Sequence, residues 1–381
     1  MRLPKHLLAA ACTLSIAVFA ATAAEAATPA PVAKMQRIEV AFVLDTTGSM
    51  AGLIDGAKKK IWSIANTIVD KNPDAEIFFG LVGYRDLGDA YVTKHFPLTT
   101  DIQHIYGELL TFKADGGGDT PESVNEALDV AVTKLGWSDS GQSGDKVSRI
   151  LFLVGDAPPH MDYEQDRKYP AVIKEAVSKG IIVNTVQAGD MQSTRKVWRE
   201  MAGLGGGQYH AIPQDGGRVI IIETPYDEKI RIIQISLNKT VIPYGSAARQ
   251  QAVEDKKAMA EAAAPSAAAD MSSYVSKAGK GKAGITGEGD LVADLESGKK
   301  KPAEVPKEQL PAPLQAMSPL ELEKHVAEQS AERQRLAAEL KELVLKRDEF
   351  IRQKQAENAA SGGKTDSFDS SVAKTLEQQI K

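Results

Sequence analysis

Residues Ile38–Ser49 read IEVAFVLDTTGS. The run from Ile38 to Leu44 is apolar at every position except Glu39, as expected of a central strand covered on both faces of a parallel sheet. It ends in Asp45-Thr46-Thr47-Gly48-Ser49. A carboxylate and two hydroxyls at a spacing of two therefore stand at the carboxyl edge of a sheet, where open α/β folds bind ligands.

Outward from that strand the pattern alternates. Ile54, Ala57, Ile61, Ala65 and Ile68 recur at helical spacing. Ile77–Val82 reads as a strand, and Ala90–Leu98 as another whose Pro97 marks an edge or an end. Asp101 caps a helix through Ile102, Ile105 and Leu109, and Pro121 opens a third helix from the first helical position. Ile150–Val154 and Ile181–Val186 are further buried strands separated by a helix that Pro170 opens and Gly180 stops. A helix from Ser193 to Met201 precedes Gly205-Gly206-Gly207, read as a helix stop, and a last strand near Tyr209. This alternation predicts an α/β fold, an open, mostly parallel, doubly wound sheet over residues 37–225, followed by an α-helical carboxyl-terminal extension.

The extension divides by composition. Residues 226–244 predict a helix packed on the sheet domain through Ile230, Ile233 and Leu237. Residues 245–317, rich in Ala, Lys, Gly and Pro, read as a mobile linker holding some helix. Ser318-Pro319-Leu320-Glu321 is a capping box that opens a long amphipathic helix over 318–357, a coiled coil or one arm of a hairpin, with a surface for self-association. Arg333 and Arg347 interrupt its apolar seam, and residues 358–381 read as a frayed polar tail.

At the amino end, Arg2 and Lys5, an apolar run from Leu7 to Ala20 and Ala24-Glu25-Ala26 have the order of a signal peptide, cleaved after residue 26 and followed by a short linker over 27–36. This reading predicts a periplasmic or secreted protein with no transmembrane segment in the mature chain. The sole cysteine, Cys12, lies in that leader, so disulfides and thiolate metal sites are excluded. With 46 basic against 51 acidic side chains the net charge is −5, which provides no basic field for nucleic acid.

Two further segments are predicted at the edge that carries Asp45. The loop Asp115-Gly116-Gly117-Gly118-Asp119-Thr120 brings a hydroxyl just before a helix, and the Ile150–Val154 strand ends in Gly155-Asp156. Such an oxygen set suits a hard divalent cation, and neutral hydroxyls leave residual positive charge on it. At these residues the chain resembles the von Willebrand factor type A (VWA) domain family. Asp45, Thr47 and Ser49 match its D-x-[ST]-x-S motif, Thr120 its isolated threonine and Asp156 its later aspartate. The resemblance implies a metal ion-dependent adhesion site (MIDAS) holding Mg²⁺, or Mn²⁺ or Ca²⁺, with one coordination position open to an acidic side chain of a protein partner. Asp119, Arg85 and Asp86 are read as outer residues of that site, Arg85 either steering an acidic ligand or pairing with Asp86.

The histidines, among them His160 and His210, show no ligand spacing and read as surface or loop side chains. With no nucleophile and base pair in view, no catalytic residue is assigned. The expected function is extracytoplasmic, metal-dependent protein binding; the alternative is a Mg²⁺-dependent hydrolase using the same ion.

Overall fold

The computed structural model describes residues 36–139, 146–217, 221–278, 285–301, 304–360 and 367–380. The signal peptide assigned to residues 1–26, and all of the following linker except Gln36, lie outside them. Six strands form one sheet: β1 (Arg37–Asp45), β2 (Glu76–Tyr84), β3 (Thr93–Thr99), β4 (Val147–Gly155), β5 (Ile181–Ala188) and β6 (Gly206–Ile212). Their order is β3-β2-β1-β4-β5-β6, and all neighbours are parallel except β3 on β2. The antiparallel β3, which carries Pro97, is an edge strand, where a missing N–H costs least.

Helices cover both faces. Helix α1 (Ala51–Lys71) and α2 (Ile102–Thr111) lie on one side, where Phe42, Phe79 and Phe152 meet Ile61, Trp62 and Ile105. Helices α3 (Val124–Lys134), α4 (Tyr169–Ser178) and α5 (Gln192–Leu204) lie on the other, over Val43, Leu151 and Val183. Helix α3 begins three residues after Pro121, not at it, because the intervening residues pair elsewhere. Glu122 N–H donates to the Pro158 carbonyl (3.0 Å), and Glu122 accepts from His160 N–H (3.0 Å).

Beyond the sheet the chain continues as α6 (Asp227–Lys239), α7 (Ala247–Ala262), α8 (Pro265–Lys277), the short α9 (Leu291–Glu296) and α10 (Ala312–Gln315), α11 (Pro319–Ala360) and α12 (Ser367–Gln379). Much of the stretch read as a mobile linker is therefore packed helix. Its alanines are the reason: Ala268 and Ala269 are fully buried, and their small side chains let α8 run close against α1 and α6. Tyr274 packs on Trp62 at 5.8 Å between ring centroids.

Helix α11 packs within the chain, across α6, α8 and α9. Its seam residues Leu336, Leu340 and Val344 join Ile230, Ile233 and Leu237. The two arginines that break the seam are ion-pair pegs. Arg347 lies 2.8 Å from both Asp227 and Asp270, and Arg333 lies 2.8 Å from Asp290 and donates to the Thr240 carbonyl (2.9 Å). A period argument treats a buried arginine as an interruption; an acid on a facing helix makes it a contact.

The polar tail is also corrected. Val372 and Leu376 of α12 are buried in the α1 side of the core, and the Asn184 and Gln379 side-chain amides exchange two hydrogen bonds. Truncation of a fully buried leucine costs about 2–5 kcal/mol. Leu376→Ala is therefore expected to lower unfolding stability by that amount in urea titration, whereas a frayed tail would leave it unchanged. Arg347→Ala, which strands the buried Asp227 and the half-buried Asp270, is expected to cost about 3 kcal/mol in the same assay.

Candidate functional site: a sheet-edge carboxylate cluster

Strand order places the site. β1 and β4 are adjacent, but the chain leaves them toward opposite edges of the sheet, so a crevice opens beyond their carboxyl ends. Asp45 is the last residue of β1 and Asp156 directly follows β4. Thr47 donates to Asp45 Oδ1 from both its backbone N–H (2.8 Å) and its hydroxyl (2.6 Å), and its Oγ1 lies 3.3 Å from Ser49 Oγ. Asp45 Oδ2 is buried without a hydrogen-bond partner. A Cβ on Gly155 would stand 2.3 Å from the Tyr84 hydroxyl and 3.0 Å from Asp45 Cβ, so β4 can approach this closely only with glycine there. Asp156 Oδ2 accepts from Gln214 Nε2 (2.5 Å).

The glycine-rich loop lies against the same turn. Asp115 N–H donates to the Thr46 carbonyl (3.1 Å), Gly48 N–H to that of Gly116 (3.2 Å), and a Cβ on Gly117 would reach within 3.1 Å of Thr47 Cβ. Asp45, Thr47, Ser49 and Asp156 thus form one cluster. Thr120 stands exposed at the end of the loop, and among the described residues no hydrogen bond ties its hydroxyl to the other four.

Negative charge accumulates here. Burial, followed by repulsion from Asp156, pushes the Asp45 carboxyl up to about 7. Glu122, which sequence reasoning missed, is also buried, with Oε1 facing Gly117 and Oε2 unpartnered. Burial and the charges of Asp45, Asp86, Asp156 and Asp89 push it up to about 9. Burial and the same acids raise the Tyr84 phenol well above its ordinary value. Among the described residues no ion pair reaches Asp45, Asp156 or Glu122. The only sequence signal for Glu122 is its place two residues beyond Thr120, and an exposed acid at a helix start would read identically.

The outer residues separate. Arg85 is buried, donates to the Lys113 carbonyl (2.8 Å) and stacks over Tyr91 at 4.6 Å. It anchors the loop and neither faces solvent to steer a ligand nor pairs with Asp86. Asp86 accepts instead from Ser123 Oγ (2.8 Å) and Tyr163 Oη (2.9 Å). Asp119 converges with Asp86 and His160, the three offering ligand atoms within 4.8 Å of one another. His160, read as a surface or loop side chain, is buried; the isolated bridge between Glu122 and Pro159 draws it in, a contact that spacing cannot reveal.

The sequence model described as "von Willebrand factor A domain" matches residues 39–224. Residues 39–224 are a von Willebrand factor A domain. The chain is 24% identical over 164 residues to "Putative ariadne-like RING finger protein R811" of Acanthamoeba polyphaga mimivirus, covering 42% of this chain and 15% of that protein. It is 36% identical over 96 residues to mouse "von Willebrand factor A domain-containing protein 7", covering 24% of this chain and 10% of the relative. The chain thus spans only a small part of these curated relatives. Among solved structures, the SpRpn10 VWA domain is similar at 12% identity and a TM-score of 0.34, covering 47% of this chain and 89% of that one.

The raised carboxyls give the A domain a testable pH dependence. Unfolded, Asp45 and Glu122 titrate near 3.8 and 4.5. Above those values the folded chain retains protons that the unfolded chain has released, so stability falls as pH rises and the loss is complete above the folded values. In EDTA the melting temperature is expected to decline from about pH 5 to pH 9, and Asp45→Asn should flatten part of that decline. A profile unchanged by Asp45→Asn would contradict the assignment.

Proposed function

We propose that the A domain holds Mg²⁺, or Mn²⁺ or Ca²⁺, through Asp45, Thr47, Ser49, Thr120 and Asp156, and binds an acidic side chain of a partner protein there. The observation that carries this reading is Asp45 Oδ2, a buried carboxylate oxygen with no partner, set among neighbouring acids and hydroxyls. A buried charge is stable only when paired or coordinated. The donor set is all oxygen, which is what a hard cation takes.

The roles of the chain's own groups follow from their positions. Thr47 fixes the Asp45 carboxylate through Oδ1, leaving Oδ2 for coordination. Ser49 and Thr120, both exposed, present neutral hydroxyls at the rim. The bound ion would supply an electrophilic position for an incoming carboxylate oxygen. Gln214, hydrogen-bonded to Asp156 and to the Ser49 carbonyl (3.4 Å), closes one side of the crevice and narrows the direction of approach.

The leader-like residues 1–26 support placing this activity outside the cytoplasm. Among the described residues no helix is long and apolar enough to cross a membrane. We read residues 37–225 as the binding domain and the helices beyond it as its support, because α8 and α12 pack on α1.

Calorimetric titration of EDTA-treated protein is expected to show one Mg²⁺ bound through this site and lost in Asp45→Ala. Mg²⁺ at about 100 times its dissociation constant should add about 2.7 kcal/mol to unfolding stability. In pull-downs from an extracytoplasmic extract, partner capture should disappear with EDTA and with Asp45→Ala. Capture that survives both would refute the proposal.

A further inference from the structure

We propose that Asp86, Asp119 and His160 form a second metal site, separate from the Asp45 cluster and suited to a first-row transition ion. The three residues come from different segments. Asp86 follows β2, Asp119 lies in the glycine-rich loop and His160 lies in the loop after β4.

The decisive group is the imidazole. His160 is buried, and its Nδ1 lies 2.8 Å from the carboxylate of the exposed Asp162. A carboxylate only accepts, so Nδ1 carries a proton and donates to it, and in the neutral imidazole Nε2 then keeps its lone pair. That Nε2 has no hydrogen-bond partner and stands 3.5 Å from Asp86 Oδ2. In the neutral imidazole two acceptor atoms therefore face each other across this gap, which either a second proton on Nε2 or a bound cation bridges. Ligands bonded at about 2.0–2.1 Å around a tetrahedral ion are roughly 3.4 Å apart, close to the separation observed.

The atoms behind the ligands are held as metal sites require. Asp162 orients His160. Ser123 donates to Asp86 Oδ1, and Tyr163 both donates to Asp86 Oδ2 and stacks on the imidazole at 3.9 Å with an interplanar angle of 7°. Asp119 is exposed and brings the third carboxylate to the rim, where water can complete the coordination. One nitrogen and two carboxylates suit Zn²⁺, Co²⁺ or Mn²⁺, whereas Mg²⁺ and Ca²⁺ prefer oxygen alone. Because Asp119 precedes Thr120, an ion here would also set the position of the threonine assigned to the first site.

The test is Co²⁺ titration of the full chain carrying Asp45→Ala, after EDTA treatment and in excess Mg²⁺, followed by visible absorption and calorimetry. The expected result is one Co²⁺ per chain, displaced by Zn²⁺. His160→Gln or Asp86→Asn should weaken binding at least 100-fold. Asp162→Asn alters an exposed side chain that leaves folding intact, and it should weaken binding about 10–100-fold. Absence of Co²⁺ uptake in the Asp45→Ala chain, or unchanged uptake when His160→Gln or Asp162→Asn is added to a chain folded by circular dichroism, would overturn the proposal.

Discussion

Burial of two carboxylates beside a third, beyond the end of β1, and their mutual repulsion are the constraint on which the functional part of this structure depends. Asp45 and Glu122 are shielded from water, Asp156 adjoins them, and among the described residues no arginine or lysine pairs with any of the three. At an effective dielectric constant of about 20, two like unit charges 4 Å apart repel by about 4 kcal/mol. The cluster can hold protons or a divalent cation, and only the cation gives the partner-binding chemistry of the proposed site. The surrounding architecture serves this choice: Gly155 permits the close approach of β4, Thr47 fixes one carboxylate oxygen, and the Gly116–Gly117 turn lies directly on the Asp45 loop.

The segment from Asp119 to Ser123 connects that cluster with its neighbour. Asp119 converges with Asp86 and His160, Thr120 belongs to the proposed first metal site, Glu122 faces Gly117, and Ser123 holds Asp86. Four of these five consecutive residues therefore serve two groups of ligands. Their pairing with residues 158–160 delays the start of α3 to Val124, so a local departure from helix-start rules coincides with the site.

The sheet was legible in the sequence because its strands are buried on both faces and its crossover helices keep a 3.6-residue period. The motif residues Asp45, Thr47, Ser49 and Asp156 were legible because they stand at strand ends, which the apolar runs locate. What failed to show depends on contacts between distant segments. Arg333 and Arg347 look like breaks in a coiled-coil seam until Asp290, Asp227 and Asp270 are placed opposite them. The alanine-rich stretch looks too poor in apolar area to order, yet close helix packing suits small side chains. Likewise α12 reads as polar because, among the described residues, two of its four buried side chains, Thr375 and Gln379, are polar and only Val372 and Leu376 are apolar. His160 carries no spacing signal, since its partners lie 41 and 74 positions away in sequence, at Asp119 and Asp86.

The most direct test is crystallographic. Crystals of the full chain grown with Mn²⁺ and measured at the manganese absorption edge should show an anomalous peak among the side chains of Asp45, Thr47, Ser49, Thr120 and Asp156. An absent peak there, with Asp45 Oδ2 still buried and unpartnered, would contradict the account that a cation resolves the charge cluster.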